Sequence, residues 1–145
     1  MTLKKENLNL FIREFEKTVA DTITLDQLQS EIEIDIEIDI SQVTDKIYRI
    51  IKQFEPFGPK NRKPIFVTRN IKEFVEAKLV GSDQNHLKLV LRSDDKKISC
   101  IGFGMRNEYK QILNATSFDI CYSIDENKWN NNTELQLRLK AVNAF

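Results

Sequence analysis

All three prolines of the chain, Pro56, Pro59 and Pro64, fall within residues 54–70, FEPFGPKNRKPIFVTRN. Each fixes its own φ and biases the residue before it away from the helical region. A helix arriving from the N-terminal side must stop at Glu55, and the chain that leaves Pro64 starts extended. The stretch is also cationic. Lys60, Arg62, Lys63, Arg69 and Lys72 lie between Pro56 and Lys72 with no acidic residue among them. A stiff, positively charged loop at the mouth of a β-domain suits an anion-binding rim. Taken alone, a solvated elbow between two parts of the chain is the plainer reading.

Downstream of Pro64 the pattern is β with one helical interruption. Residues 65–80 read as a first long strand bent near Asn70. After the turn GSDQN, His86 to Ser93 alternates Leu87, Leu89 and Leu91 inward with His86, Lys88, Val90 and Arg92 outward. Asp94 to Lys97 reads as a four-residue hairpin loop, and Ile98 to Phe103 as a third strand. Gly102 and Gly104 suggest a bulge or a close backbone approach at its end. Arg106 to Leu113 is predicted as a short helix. Phe118, Ile120, Tyr122 and Ile124 mark a fourth strand, and DENKWNNNT reads as a polar turn. In Glu134 to Lys140, a fifth strand, Leu135, Leu137 and Leu139 point inward and Gln136, Arg138 and Lys140 outward. Five strands with a helix between the third and fourth is the order of an OB-fold, a five-stranded, partly open Greek-key barrel. An SH3-like barrel lacks that helix.

Upstream, Leu8, Phe11, Ile12, Phe15 and Val19 recur at helical spacing and predict an amphipathic helix over Glu6–Ala20. Such a stripe packs on the barrel or on a further domain. Between residues 31 and 40, five isoleucines alternate with Glu31, Glu33, Asp35, Glu37 and Asp39, the period of a strand with one acidic face. Alternate carboxylates point the same way without converging on one ion, so a solvated face is the plainer reading than a metal site. Ser41 or Thr44 can cap a second helix whose buried face is Val43, Ile47, Ile50, Ile51 and Phe54. The expected class is mainly β (α+β): residues 1–55 as helix, acidic strand and connector helix, residues 56–145 as the barrel.

Net charge is zero over 145 residues, but the halves differ. Residues 1–40 carry 4 basic and 10 acidic side chains, a balance of −6; residues 41–145 carry 18 and 12, a balance of +6. The second part is the candidate for a polyanion partner. No apolar run approaches the ~20 residues of a membrane span, and no apolar segment follows the lysines of MTLKKENL as in a signal peptide. Cys100 and Cys121 sit in apolar runs and read as small core residues of a reducing, cytoplasmic compartment. One histidine, His86, and the lack of a Walker or GxGxxG loop argue against catalysis by this segment.

Binding is the positive signal. His86, Lys88, Arg92, Arg138 and Lys140 share the outward faces of the second and fifth strands, where OB-folds hold single-stranded nucleic acid. Trp129, Phe57 and Phe103 are candidate rings for base stacking. Core packing is the preferred reading for Phe103, and Trp129 is expected exposed because its surroundings are polar.

Four stretches, FEPFGPKNRKPIF, VGSDQNHLKLVLR, ISCIGFGM and YSIDENKWNNNTELQLRLK, and more weakly TLKKENLNLFIREFE and EIEIDIEIDIS, bear a resemblance to a known family. The chain resembles the C-terminal region of bacterial RecJ-type single-strand exonucleases of the Asp-His-His phosphoesterase superfamily. The resemblance implies an OB domain that grips single-stranded DNA beside a nuclease core, with the first helix as the tail of the DHH-associated domain. It implies Mn²⁺ or Mg²⁺ in that core, whose Asp/His motifs match nothing here, and no cofactor in this segment. Implied partners are single-stranded DNA, the nuclease core and a single-strand-binding protein. The nucleic-acid contacts would be Lys60, Arg62, Lys63, Arg69, His86, Lys88, Arg92, Trp129, Arg138 and Lys140. Alternatives are a module that braces the core or recruits another protein, and a stand-alone hydrolase. Lys60, Arg62 and Lys63 stand where the family has a glycine, a proline and an acid, which would strain Lys60 if positive φ is required there. Asn131 stands for a usual glycine, in a conformation asparagine tolerates.

Overall fold

The computed structural model describes residues 2–24, 26–28, 31–93, 96–129 and 132–145. Backbone packing divides the chain into two compact units, Met1–Ile32 and Glu33–Phe145.

The first unit contains one regular helix, α1 (Leu8–Thr22), entered through a 3-10 turn at Lys5–Asn7. Phe11 and Phe15, one turn apart, stack at 5.5 Å between ring centroids. No residue of α1 is buried.

The second unit is a seven-stranded sheet in the order β1-β2-β6-β7-β5-β4-β3. The strands are β1 (Ile36–Glu37), β2 (Phe66–Ile71), β3 (Glu76–Val80), β4 (His86–Ser93), β5 (Lys96–Gly102), β6 (Phe118–Trp129) and β7 (Asn132–Ala144). The predicted first strand is split: β2 pairs with β6 and β3 pairs with β4. One stretch of chain thus supplies β2, next to the edge strand β1, and β3 at the opposite edge, bringing the two sides of the sheet toward each other, with β5 and β7 parallel. The bend falls where predicted. Asn70 has φ 55°, its N–H bonds to Asp119 Oδ1 at 2.8 Å, and the β2–β6 register shifts between Thr68 and Ile71. The five predicted strands are therefore six barrel strands plus the short β1.

The alternation on β4 and β7 dictates the core. Leu87, Leu89, Leu91 and Leu137 are almost wholly inaccessible, as are Cys100, Ile120, Tyr122 and Ile124 from β5 and β6. α3 (Arg106–Asn114) lies between the third and fourth predicted strands and buries Ile112 among them. Tyr122 shares its hydroxyl with Thr68 Oγ1 at 2.9 Å, and Thr68 Oγ1 bonds to Ile38 O at 2.8 Å. A buried phenol needs that partner. Burial pushes the Tyr122 pKa up to about 12. Cys100 and Cys121 are both free thiols, the first buried and the second half-buried.

Several expectations change. Only Ile36–Glu37 of the acidic stretch forms a strand, parallel to Phe66–Val67. Ile38 and Ile40 pack on the core while Ile34 and Ile36 stay exposed. The segment is a short strap along β2. α2 (Asp45–Lys52), capped by Thr44, buries Tyr48 and Ile51, while Ile50 and Phe54 are exposed. Tyr48 was missed because its hydroxyl reads as polar. Val43, Tyr48 and Ile51 belong to the barrel's own core, so the compact unit begins at Glu33, where the sequence reading drew the line after Glu55. Lys96 and Lys97 of the expected loop Asp94–Lys97 are strand instead, paired with Ser93 and Arg92, and positions 94 and 95 lie outside the described residues. Asp125 to Trp129 of the expected polar turn is strand, because β6–β7 pairing continues to Trp129 opposite Asn132; positions 130 and 131 lie outside the described residues. Asn131 and the side chain of Trp129 lie outside the described residues. Lys60 is not at positive φ: among the described non-glycine residues only Asn70 and Gln84 are, so that strain is absent.

Candidate nucleic-acid interface

Strand registers determine which outward side chains meet. Lys88 on β4 lies opposite Ile101 on β5, and Ile101 lies opposite Arg138 on β7. The three form one row across the outer face, the two cations about 10 Å apart at the backbone given two inter-strand spacings. Lys140 follows Arg138 on the same face, since Leu137 and Leu139 are buried. Arg92 shares the outward side of β4, opposite Lys97. The sequence reading thus placed these four cations on one side of the barrel.

Two depressions run along this face. One, of about 500 Å³, is lined by Ile101, Phe103, Gln136 and Arg138 of the sheet face, by Tyr48 and Lys52 of α2 and by Lys63 of the proline loop. The other, of about 260 Å³, lies over Lys88, Val90 and Ser99 and also touches Gln136. Gln136 Nε2 bonds to Ser99 Oγ at 3.4 Å between them.

The charges lining these depressions nearly cancel. Lys63 is bound to Asp125, and Lys52 Nζ lies 3.3 Å from Glu126 Oε2, to which Lys128 also reaches at 3.7 Å. The bond to Glu126 holds the Lys52 pKa above its ordinary value. Lys88, Arg138 and Lys140 make no ion pair with a described residue. The face is therefore polarised, with cations outside any described ion pair on β4 and β7, Lys88 sharing its depression with Glu76 and Glu134, and closed ion pairs toward β6 and α2.

The remaining predicted contacts are elsewhere or otherwise engaged. Arg69 on β2 bridges Glu37 and Asp119, each at 3.0 Å, which raises its pKa and ties β1 to β2 and β6. Arg62 pairs with Glu33 at 3.1 Å. The acids of residues 33–37 thus neutralise two of the cations read as phosphate contacts; period-two spacing carries no sign of this, because the partners lie about 30 residues away. Asp35 takes the Ile65 N–H at 2.9 Å. Lys60 is exposed in the proline loop. That loop is held by Asn61, whose Nδ2 donates to Phe54 O at 2.6 Å and Pro56 O at 3.0 Å. His86 accepts the Gly104 N–H on Nδ1 at 3.1 Å and sets its ring edge-to-face with Phe103 at 5.2 Å. It is a brace for the turn after β5 as well as a surface residue. Trp129 closes β6 by its backbone. Phe57 packs on the core with Lys63 Nζ 5.9 Å from its ring centre. Phe103, expected inside, is 55% exposed, with Arg138 Cζ 5.1 Å from its centroid.

Among the described residues no three or more His, Cys, Asp or Glu side chains converge as a metal ion would require. Among the same residues no helix is long and apolar enough to cross a membrane.

The sequence profile of the RecJ OB domain matches residues 34–141. The single-stranded-DNA-specific exonuclease RecJ of Bacillus subtilis (strain 168) is 24% identical over 140 residues, covering 97% of this chain and 18% of that protein. The protein of the same description from Haemophilus influenzae is 23% identical over 139 residues, covering 94% of this chain and 24% of that protein. The crystal structure of RecJ in complex with Mn²⁺ from Thermus thermophilus superposes with a TM-score of 0.71 at 15% identity, over 99% of this chain and 20% of that one. The chain therefore spans about a fifth of the length of these relatives. At this identity the structural likeness speaks to the fold.

Proposed function

The chain belongs to the RecJ OB domain family, and from that premise we propose that its outer β4–β5–β7 face binds single-stranded DNA for a 5′→3′ exonuclease acting in DNA repair and recombination. The observation that carries this reading is the row Lys88–Ile101–Arg138 beside two adjoining depressions, with Lys140 next outward along β7. Cations spaced along a groove meet successive phosphates, and a flexible single strand follows a concave barrel face better than a duplex does. Arg92, four residues on from Lys88 and opposite Lys97, stands apart from that row. Lys52 and Lys63 contribute only where a phosphate displaces Glu126 or Asp125. Cleavage, and the Mn²⁺ or Mg²⁺ ions it uses, is assigned to a nuclease core outside this segment, and the segment alone to a non-catalytic role in the cytoplasm.

The test is a titration of the purified chain with a single-stranded oligonucleotide and a duplex control at low salt. Preferential single-strand binding, weakened by Lys88→Glu and Arg138→Glu, supports the proposal; no affinity for either strand form refutes it.

The unburied apolar stripe of α1 favours a second role, bracing the nuclease core or recruiting a single-strand-binding protein. That role alone would leave DNA affinity indifferent to charge reversal on the barrel face.

A further inference from the structure

We propose that Phe103 is a stacking platform for one unpaired base, held in place by His86 and Arg138; this rests on the single-strand reading above. Isolated apolar side chains on a surface are ordinary and need no explanation. Phe54 and Phe145, 58% and 62% exposed, are of that kind. Phe103 differs from them in how it is held and where it stands.

The backbone around it is built to turn the ring outward. β5 ends at Gly102, where an added Cβ would collide with Met105 Sδ. That missing Cβ admits Met105, which is buried and belongs to the core cluster. Gly104, at φ +72°, then reverses the chain in a conformation other residues rarely adopt. Methionine thus goes in and phenylalanine out, against the usual preference for burying the larger ring.

Two contacts hold the exposed ring, and a third pins the turn that carries it. The Gly104 N–H bonds to His86 Nδ1 at 3.1 Å, which pins the turn to the start of β4. The imidazole meets Phe103 at 68° between ring planes, an edge-on contact that supports the ring from the side. The guanidinium of Arg138 stands 5.1 Å from its centroid. A ring already held in one orientation loses little freedom when a ligand arrives. The same guanidinium belongs to the cationic row, so a phosphate on Arg138 brings its neighbouring base to Phe103. Every base has a π-face, so the platform takes any unpaired base.

The experiment compares oligothymidylate with an abasic sugar-phosphate oligomer of equal length, using the whole chain and its F103A, F103L and F103W variants. The unmodified chain should bind the base-bearing strand more tightly. F103A and F103L should each lose about 5- to 150-fold on oligothymidylate, the range of one base–aromatic stack, and nothing on the abasic strand. F103W should retain affinity. F103L keeps an apolar side chain, which separates loss of the ring from disturbance of the turn. If the unmodified chain binds both oligomers equally, or if F103A and F103L leave its preference intact or weaken both oligomers alike, the platform is refuted while the groove stands. If the unmodified chain binds neither oligomer, the single-strand reading itself falls, and the platform with it.

Discussion

Raising salt from 50 to 200 mM should weaken single-strand binding about 20-fold, a figure that follows from which cations are open. Each phosphate neutralised on a single strand contributes about −0.7 to the slope of log K against log salt. Lys88, Arg138 and Lys140 form the contiguous set without an ion pair among the described residues. Three contacts give a slope of about −2. Lys52 and Lys63 are held by Glu126 and Asp125 and release no counterion unless those pairs open. If they do open, the slope steepens to about −3.5 and the loss to about 130-fold. The assay is fluorescence anisotropy of a labelled oligonucleotide at five or six salt concentrations. Lys88→Ala should flatten the slope by about 0.7, and Arg69→Ala should leave it unchanged, because Arg69 already bridges Glu37 and Asp119. A slope near zero, or an Arg69→Ala effect as large as that of Lys88→Ala, would refute the assignment of open and closed cations.

Leu89→Ala should cost about 2–5 kcal/mol in urea unfolding, since the side chain is fully buried and the barrel walls cannot collapse on the gap. Asp39 accepts the Ser41 N–H and hydroxyl, which lowers its pKa. Its stabilisation is therefore present above the ordinary carboxylate value and lost as pH falls through the depressed one. Asp39→Ala should cost about 0.5–2 kcal/mol near neutrality, and the gap to the unmodified chain should close in acid when unfolding is repeated there. Tyr122 should ionise late, near pH 12, in an ultraviolet phenol titration, because burial raises its pKa. A raised pKa means stability present below the ordinary tyrosine value and lost above it, so Tyr122→Phe should soften the alkaline loss.

The alternation of Leu87, Leu89 and Leu91, and of Leu137 and Leu139, was enough to assign the inward faces, because a strand's side-chain period admits no other face for them. It also placed Lys88, Arg92, Arg138 and Lys140 outward, and the helix between strands selected the barrel topology. Which outward residues become neighbours was a matter of register between strands far apart in sequence, and only the closed barrel set Lys88 beside Ile101 beside Arg138. The ion pairs that occupy Lys63, Arg62 and Arg69 join groups about 30 to 62 positions apart, and no local pattern encodes such pairs. Phe103 makes the same point from the other side. Residue type argued for the interior, and the tertiary turn, filled by Met105 and pinned by His86, left the ring in solvent.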